Sequence, residues 1–158
     1  MISHLNKKNK PTIVDISSKK ITNRIAIAQG IVEFSKSTYK KIESLKTKKG
    51  EIKSIAIIAG ILGAKKTSDL IPLCHNIKIE NIDIDIQAIK KISSLKVTSF
   101  VKSRGKTGVE IEALNGVSIA CLTIYDMCKS IDNKIIITDI RLIKKSGGKS
   151  NLLNLKKQ

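Results

Sequence analysis

Residues 77–87 read IKIENIDIDIQ. Isoleucine holds alternate places at Ile77 and Ile79, slips by one, and resumes alternation at Ile82, Ile84 and Ile86. Side chains of period two mark a strand with one face on a core and the other in water. The slip near Asn81 predicts a bulge, where one strand carries an extra residue. Residues 95–102, LKVTSFVK, alternate in the same way at Leu95, Val97, Ser99 and Val101. They are the natural hairpin partner of the first stretch.

The flanking segments extend this hairpin into a fold. Upstream, Glu51–Lys66 carries apolar residues at Ile52, Ile55, Ile58/Ala59 and Leu62, the stripe of an amphipathic helix. Its run Ala59-Gly60-Ile61-Leu62-Gly63 predicts close packing against a neighbour. Before it, Ile21–Phe34 is rich in β-branched residues and alternates from Arg24 to Gln29, which reads as a strand. Downstream, Gly108–Ile131 has helical periodicity and Ile135–Lys144 closes the series as a strand. The order β-α-β-β-α-β predicts a ferredoxin-like α+β fold, an antiparallel sheet with two helices on one face. A strand at Thr12–Ile16 and a polar helix at Ser37–Leu45 are N-terminal additions. Residues 1–11 read as a mobile basic arm, 12–150 as one domain and 151–158 as a short tail. Such a fold hosts many activities and settles none.

The chain has 158 residues with 30 Lys+Arg against 13 Asp+Glu, a formal charge of +17. Hydrophobic residues are 41% and aromatics 3%, so the core is aliphatic and wholesale disorder is excluded. The cations are almost all lysine, and isoleucine is equally over-used, as an AT-rich coding bias produces. Part of the charge is therefore compositional, and the remainder favours an anionic partner. The start, MISHLNKKNK, has no apolar segment of a secretory signal. The apolar run near Ile55–Ala64 falls short of the roughly 18 residues of a membrane span. Cys74, Cys121 and Cys128 are odd in number with no CxxC, which fits a reducing, cytoplasmic setting and buried thiols. A structural zinc needs four ligands at short spacing, and only Cys74 and His75 are close together.

Three basic glycine loops stand at ends of predicted elements: KTKKG at Lys46–Gly50, SRGKTG at Ser103–Gly108 and KKSGGKS at Lys144–Ser150. Glycine lets backbone N–H groups approach a ligand, and lysines complete an anion cradle. A P-loop would need another glycine five places before each GK glycine, but Phe100 and Ile143 stand there. The plain reading of any one loop is a solvated lysine turn. Three together point to a bound anion.

On the long helix, Glu112, Asn115, Ile119, Leu122, Asp126 and Lys129 follow steps of three or four. The adjoining stripe, Val109, Ala113, Val117, Ala120/Cys121, Ile124, Cys128 and Ile131, should face the sheet. Asp126 then sits at the margin of a buried face, within reach of Lys129. A surface ion pair is the plainer reading, worth little. An acid–base pair tuned by burial is the sharper one. Glu112 and Asp126 are 14 residues apart, roughly 21 Å along a helix axis. One small ligand cannot touch both on one chain, which hints at sites shared between protomers. In Asp69-Leu-Ile-Pro-Leu-Cys-His75, Pro72 stops any helix, and His75 is the one plausible imidazole for proton transfer near neutrality. His4, in the arm, reads as incidental.

The segments DLIPLCH (Asp69–His75), GKTGVEIEAL (Gly105–Leu114), LTIYDMCK (Leu122–Lys129) and RLIKKSGGKS (Arg141–Ser150) together resemble the cyclic pyranopterin monophosphate synthase family of molybdenum cofactor biosynthesis. VDIS at Val14–Ser17, KGE at Lys49–Glu51 and AGILGAKKTSDLIPLCH ending at His75 extend the resemblance from about Thr12 to Ser150. Asn76 stands where the family commonly has proline after the histidine, and Ser68 where it has tryptophan or serine; neither changes a reacting group.

The resemblance implies a ferredoxin-like homohexamer, a trimer of dimers, with sites at subunit interfaces. It implies a phosphorus–oxygen lyase that converts (8S)-3′,8-cyclo-7,8-dihydroguanosine 5′-triphosphate to cyclic pyranopterin monophosphate and diphosphate. By that resemblance Asp126 is catalytic, with Lys49 and Lys129 beside it. Leu73, Cys74, His75, Ile111 and Glu112 fall in substrate-contact segments, and Lys145 and Lys149 in a loop suited to the triphosphate. No cofactor is demanded beyond Mg2+ accompanying the triphosphate. The expected partners are the nucleotide-derived substrate, further copies of the chain and, functionally, the radical enzyme of the preceding step. Neither nucleic acid nor a membrane is expected. The alternative is a basic ferredoxin-like RNA-binding module, which would need aromatics on the sheet; the strands offer Phe34 and Phe100.

Overall fold

A computed structural model gives the fold and describes residues 4–6, 8–44 and 52–154. The strands are β1 (Thr22–Glu33), β2 (Ile79–Ile89), β3 (Ser94–Gly105), β4 (Ile136–Ser146) and β5 (Leu152–Leu153). The helices are α1 (Lys36–Ser44), α2 (Ile52–Lys65), α3 (Thr67–Leu70) and α4 (Glu110–Cys128). Sheet order is β2-β3-β1-β4-β5, and every neighbouring pair is antiparallel. β1 and β2 are therefore parallel to each other but separated by β3, with α2 crossing between them. β3 and β4 repeat the arrangement around β1 through α4. These two interleaved crossovers are the ferredoxin-like α+β fold.

The alternating stretches form the strands they predict. β2 and β3 join through a single 3-10 turn at Lys90–Ile92. Their register shifts between Ile79 and Asn81, the bulge expected from the slip in the isoleucine pattern. Thr12–Ile16 is not a strand; it makes no ladder and stays outside the sheet. The stretch read as a mobile arm carries a small hairpin instead, with a bridge between Leu5 and Pro11. The residues read as a tail add β5 to the edge at β4.

Ala26, Ala28 and Val32 of β1, Val97 and Val101 of β3, and Ile84 and Ile86 of β2 point into the core. α4 lies over them, burying Ala113, Val117, Ala120, Cys121, Ile124 and Cys128. Every member of the predicted apolar stripe is buried except Ile131, which is exposed. By length and composition α4 could cross a membrane, but much of it is buried inside the domain. Burial pushes the Cys121 thiol up to about 12 and that of Cys128 to about 11, so both behave as small apolar side chains.

α2 corrects the sequence reading. Ile55, Ile58 and Leu62, taken as its core stripe, are exposed. The buried face is Ile52, Ala56, Gly60, Gly63 and Ala64. α2 is apolar nearly all round, so its period does not choose a face; the partner does. A Cβ on Gly60 would stand 2.8 Å from the Gly116 carbonyl and 3.1 Å from Ala120 Cβ. A Cβ on Gly63 would meet Ile119 at 2.7 Å. The neighbour implied by the glycine run is therefore α4, and only the small-residue face of α2 lets the two backbones approach so closely. Asn115 of α4 ties the contact by donating to Gly63 O at 2.8 Å and Thr67 Oγ1 at 3.1 Å.

Gly60→Ala should lower stability by ~1–3 kcal/mol, because it overpacks this crossing. The loss outweighs the gain of about 1 kcal/mol in helix propensity from alanine. Gly105→Ala, whose methyl would meet nothing nearer than Ser103 Oγ at 3.8 Å, should change little. Urea midpoints at unchanged m-value check both; a stabilised Gly60→Ala protein would refute the close crossing.

Candidate functional site

The loop from β3 into α4 is held from beneath by Arg24. Parity along β1 puts Arg24 on the same face as Ala26 and Ala28, the core face. Its guanidinium is buried there and donates from Nε to Gly105 O and from Nη2 to Lys106 O, each at 3.2 Å. The loop after β4 closes over the same group. Gly147 has φ +88°, where a Cβ would collide with the Asn23 carbonyl, and its own carbonyl accepts Thr22 Oγ1 at 2.6 Å. Gly148 packs on the guanidinium; a Cβ there would lie 2.8 Å from Nη1. Two of the three basic glycine loops thus meet over one buried cation. The third, Lys46–Gly50 with Lys49, lies outside the described residues.

The meeting point is a cleft of about 200 Å³ that gathers Lys19, Arg24, Lys106, Lys145 and Lys149. Glu110, in the first turn of α4, enters it and pairs with Lys145 at 3.2 Å. The cleft therefore concentrates cations and loop backbone at a helix start, a setting that takes a polyanion. Lys145 and Lys149 are where the motifs put them. Arg24 and Lys19 were missed; for Arg24 the signal was available, since an arginine in phase with core alanines has no bland place to go.

Thr107, Gly108 and Glu110 also border a second cleft of about 220 Å³, so the two adjoin as a trough divided by that loop. The second cleft holds Leu73, Cys74, His75, Ile111 and Glu112 together. Pro72 explains one wall: Ile71 before it is extended at ψ 104°, α3 ends, and the chain turns, with Cys74 N donating to Ile71 O at 3.0 Å. The other wall is the first turn of α4. Glu112 is 4% exposed. Burial raises its carboxyl from 4.5 to about 7, opposed by its own backbone N–H and reinforced by the charge of Glu110. The Cys74 thiol is also raised, by burial first and then by Glu112. His75 Nε2 is buried without a hydrogen-bond partner among the described residues. His4, read as incidental, lines this cleft as well.

Asp126 and Lys129 lie at the other end of α4. Lys129 Nζ approaches Asp126 Oδ1 at 2.6 Å, and that hydrogen bond raises the lysine's pKa. Asp126 is not at the margin of a buried face: its side chain is 67% exposed and that of Lys129 60%. Asp126 is two residues from both Ile124 and Cys128, about 200° round the helix from the core stripe. Leu122, Thr123 and Tyr125 border the shallow depression around the pair. Within one chain, then, the fold unites the five ring-side candidates and the two loop lysines, and leaves the Asp126–Lys129 pair apart. Phe34 is buried in the core, so Phe100 alone of the two sheet aromatics remains for stacking. Among the described residues no three His, Cys, Asp or Glu side chains group as metal ligands.

A family model described as the MoaC family matches residues 13–148. A cyclic pyranopterin monophosphate synthase of Helicobacter pylori is 50% identical over 157 residues, 99% of each chain. Proteins of the same name from Campylobacter jejuni and Helicobacter hepaticus are each 50% identical over 149 residues. These matches span 94% of this chain in both cases, and 95% and 94% of the respective relatives.

Because the folded state holds Glu112 protonated up to about 7, against 4.5 for the free side chain, burial of this group costs stability above pH 4.5. That cost grows as pH rises from 4.5 to about 7 and is constant beyond. Glu112→Gln removes it. The difference in unfolding free energy between variant and wild type should rise in the variant's favour by about 2–3 kcal/mol between pH 4.5 and 8. Denaturant titrations across that range check this; a difference that does not move with pH would mean Glu112 stays ionised in the cleft.

Proposed function

The chain belongs to the MoaC family, and we propose that it is a cyclic pyranopterin monophosphate synthase of molybdenum cofactor biosynthesis. It acts as a phosphorus–oxygen lyase on (8S)-3′,8-cyclo-7,8-dihydroguanosine 5′-triphosphate and releases diphosphate. The observation that carries the reading is the trough, cationic at one end and lined by His75 and Glu112 at the other. That polarity suits a ligand with a polyphosphate tail and a heterocyclic head.

In this reading Lys145, Lys149 and Lys106 neutralise the triphosphate. As a hydroxyl of the sugar-derived portion attacks the first phosphorus, the bond to the outer two phosphates breaks, and these cations stabilise the charge that leaves as diphosphate. Any Mg2+ arrives on the substrate's own phosphates. Glu110 is the carboxylate in this cleft and already pairs with Lys145. Leu73, Cys74, His75, Ile111 and Glu112 hold the ring. A Glu112 carboxyl with pKa about 7 is partly protonated at neutrality, so it both donates to and accepts from the edge of a guanine-derived ring.

Opening the five-membered ring and rebuilding a pterin needs proton transfers, which we assign to Asp126 and Lys129, with Lys49 at the purine-derived portion. On one chain Asp126 stands roughly 21 Å along α4 from Glu112. The separation calls for another copy that brings its α4 end to the trough, and membership of the family implies that the active unit is a homohexamer, a trimer of dimers. Exposed Ile58, Leu62 and Leu122 on α2 and α4 support such packing. The cytoplasm, a reducing setting, suits three free cysteines.

Asp126→Asn should lower diphosphate release at least ~10³-fold while its sedimentation coefficient matches wild type. An Asp126→Asn protein of normal rate would remove Asp126 from the chemistry. Lys149→Ala should raise KM by ~10-fold or more with a smaller change in kcat; an unchanged KM would take Lys149 out of the triphosphate site. A wild-type chain that sediments as a monomer and turns over fully would end the shared-site reading.

A further inference from the structure

The second cleft contains an imidazole that the motifs do not account for. His4 lines it together with His75, Cys74, Ile111 and Glu112. His4 Nδ1 is buried without a hydrogen-bond partner among the described residues, as is His75 Nε2. Buried polar atoms are nearly always satisfied, and an orphan at a cleft wall is a place where a ligand completes the bond. Two imidazoles that line one cleft, from segments some seventy residues apart and each with an unpaired ring nitrogen, suit a ligand that presents polar atoms to both.

The arm is built to hold His4 there. Thr12 N donates to His4 O at 3.0 Å, and Asn6 N donates to Lys10 O at 2.9 Å. Asn6 Oδ1 accepts the backbone N–H of Lys8 and of Lys10 at 2.9 and 3.0 Å. Asn9 takes φ 55°, the left-handed turn conformation that asparagine tolerates best after glycine. Beyond the hairpin, Lys106 Nζ donates to Ser17 O at 2.6 Å. The arm is thereby fastened at Ser17 to the loop that leads into α4, the loop whose Thr107 and Gly108 border the cleft.

We propose that His4 is a second imidazole of the substrate site, contacting the heterocyclic head of the substrate opposite His75. The inference rests on the assignment of the trough to that substrate. It makes the N-terminal hairpin a wall of the active site. Because His4 approaches from the arm, it contributes binding rather than proton transfer at the reacting phosphorus, which lies toward the lysine end.

The test uses full-length protein and the cyclic dihydroguanosine triphosphate. His4→Ala should raise KM about tenfold with kcat changed by less than about threefold. His4→Gln, which keeps a donor and an acceptor at similar reach, should recover most of the loss. A merely structural role would instead lower the urea midpoint and show no rescue by glutamine. The chain has only two histidines, so the imidazole Cε1–H signals in an NMR spectrum number two and His4→Gln assigns them. In Asp126→Asn protein, added substrate should shift both signals with a common midpoint. A His4→Ala enzyme with wild-type KM, or a His4 signal that stays put while that of His75 moves, overturns the proposal alone. Wild-type protein that releases no diphosphate overturns the substrate assignment, and this proposal with it.

Discussion

The close crossing of α2 on α4 sets the geometry of everything else. Gly60 and Gly116 let two backbones touch where side chains would hold them apart, and Gly30 of β1 does the same beneath, where a Cβ would press on Val117. α4 is thus packed closely against both a sheet and a helix. Its first turn is driven into the groove beside the Pro72 turn, which buries Glu112. Its last turn is carried clear of the core, which exposes Asp126 and Lys129. One rigid rod therefore separates two sets of polar groups by its own length. The shared-site reading of the active unit follows from that separation.

The cationic cleft depends on a second buried element of a different kind. A guanidinium stays charged at any physiological pH, so its burial must be matched by acceptors. Arg24 meets that demand with the carbonyls of Gly105 and Lys106. In doing so it fixes the loop that precedes α4, while Gly148 closes on it from the loop after β4. A P-loop cradles phosphate with one continuous turn. Here two loops distant in sequence are joined through a cation under them, a different architecture built without that glycine.

The strands of the hairpin were legible because a two-residue alternation is a local property: a single slip in the isoleucines put the bulge near Asn81, and the ladder skips its neighbour Glu80. The sheet-facing stripe of α4 was legible for the same reason, since polar residues flank it. The stripe of α2 was not. With Ile55, Ile57, Ile58, Ile61 and Leu62 around most of its circumference, hydropathy favours no face, and the preference comes from its own Gly60 and Gly63 meeting α4 at Gly116 and Ile119. Among the site residues, Leu73–His75, Glu112, Lys145 and Lys149 stood out through motifs. Arg24 was hidden in a strand pattern, and His4 in a lysine-rich arm that looked featureless.

The β-α-β-β-α-β order of the core elements, the aliphatic core and the chemical character of each loop could be read from the chain alone, because they arise from periodicity and composition within a few residues. Folding in three dimensions was needed to choose the buried face of α2 and to bring Arg24 under two loops. It was also needed to put His4 in one cleft with His75, and to set Glu112 and Asp126 at opposite ends of one helix in opposite environments. Each of these depends on contacts through space between residues far apart in the chain, and no period along the sequence encodes such a contact.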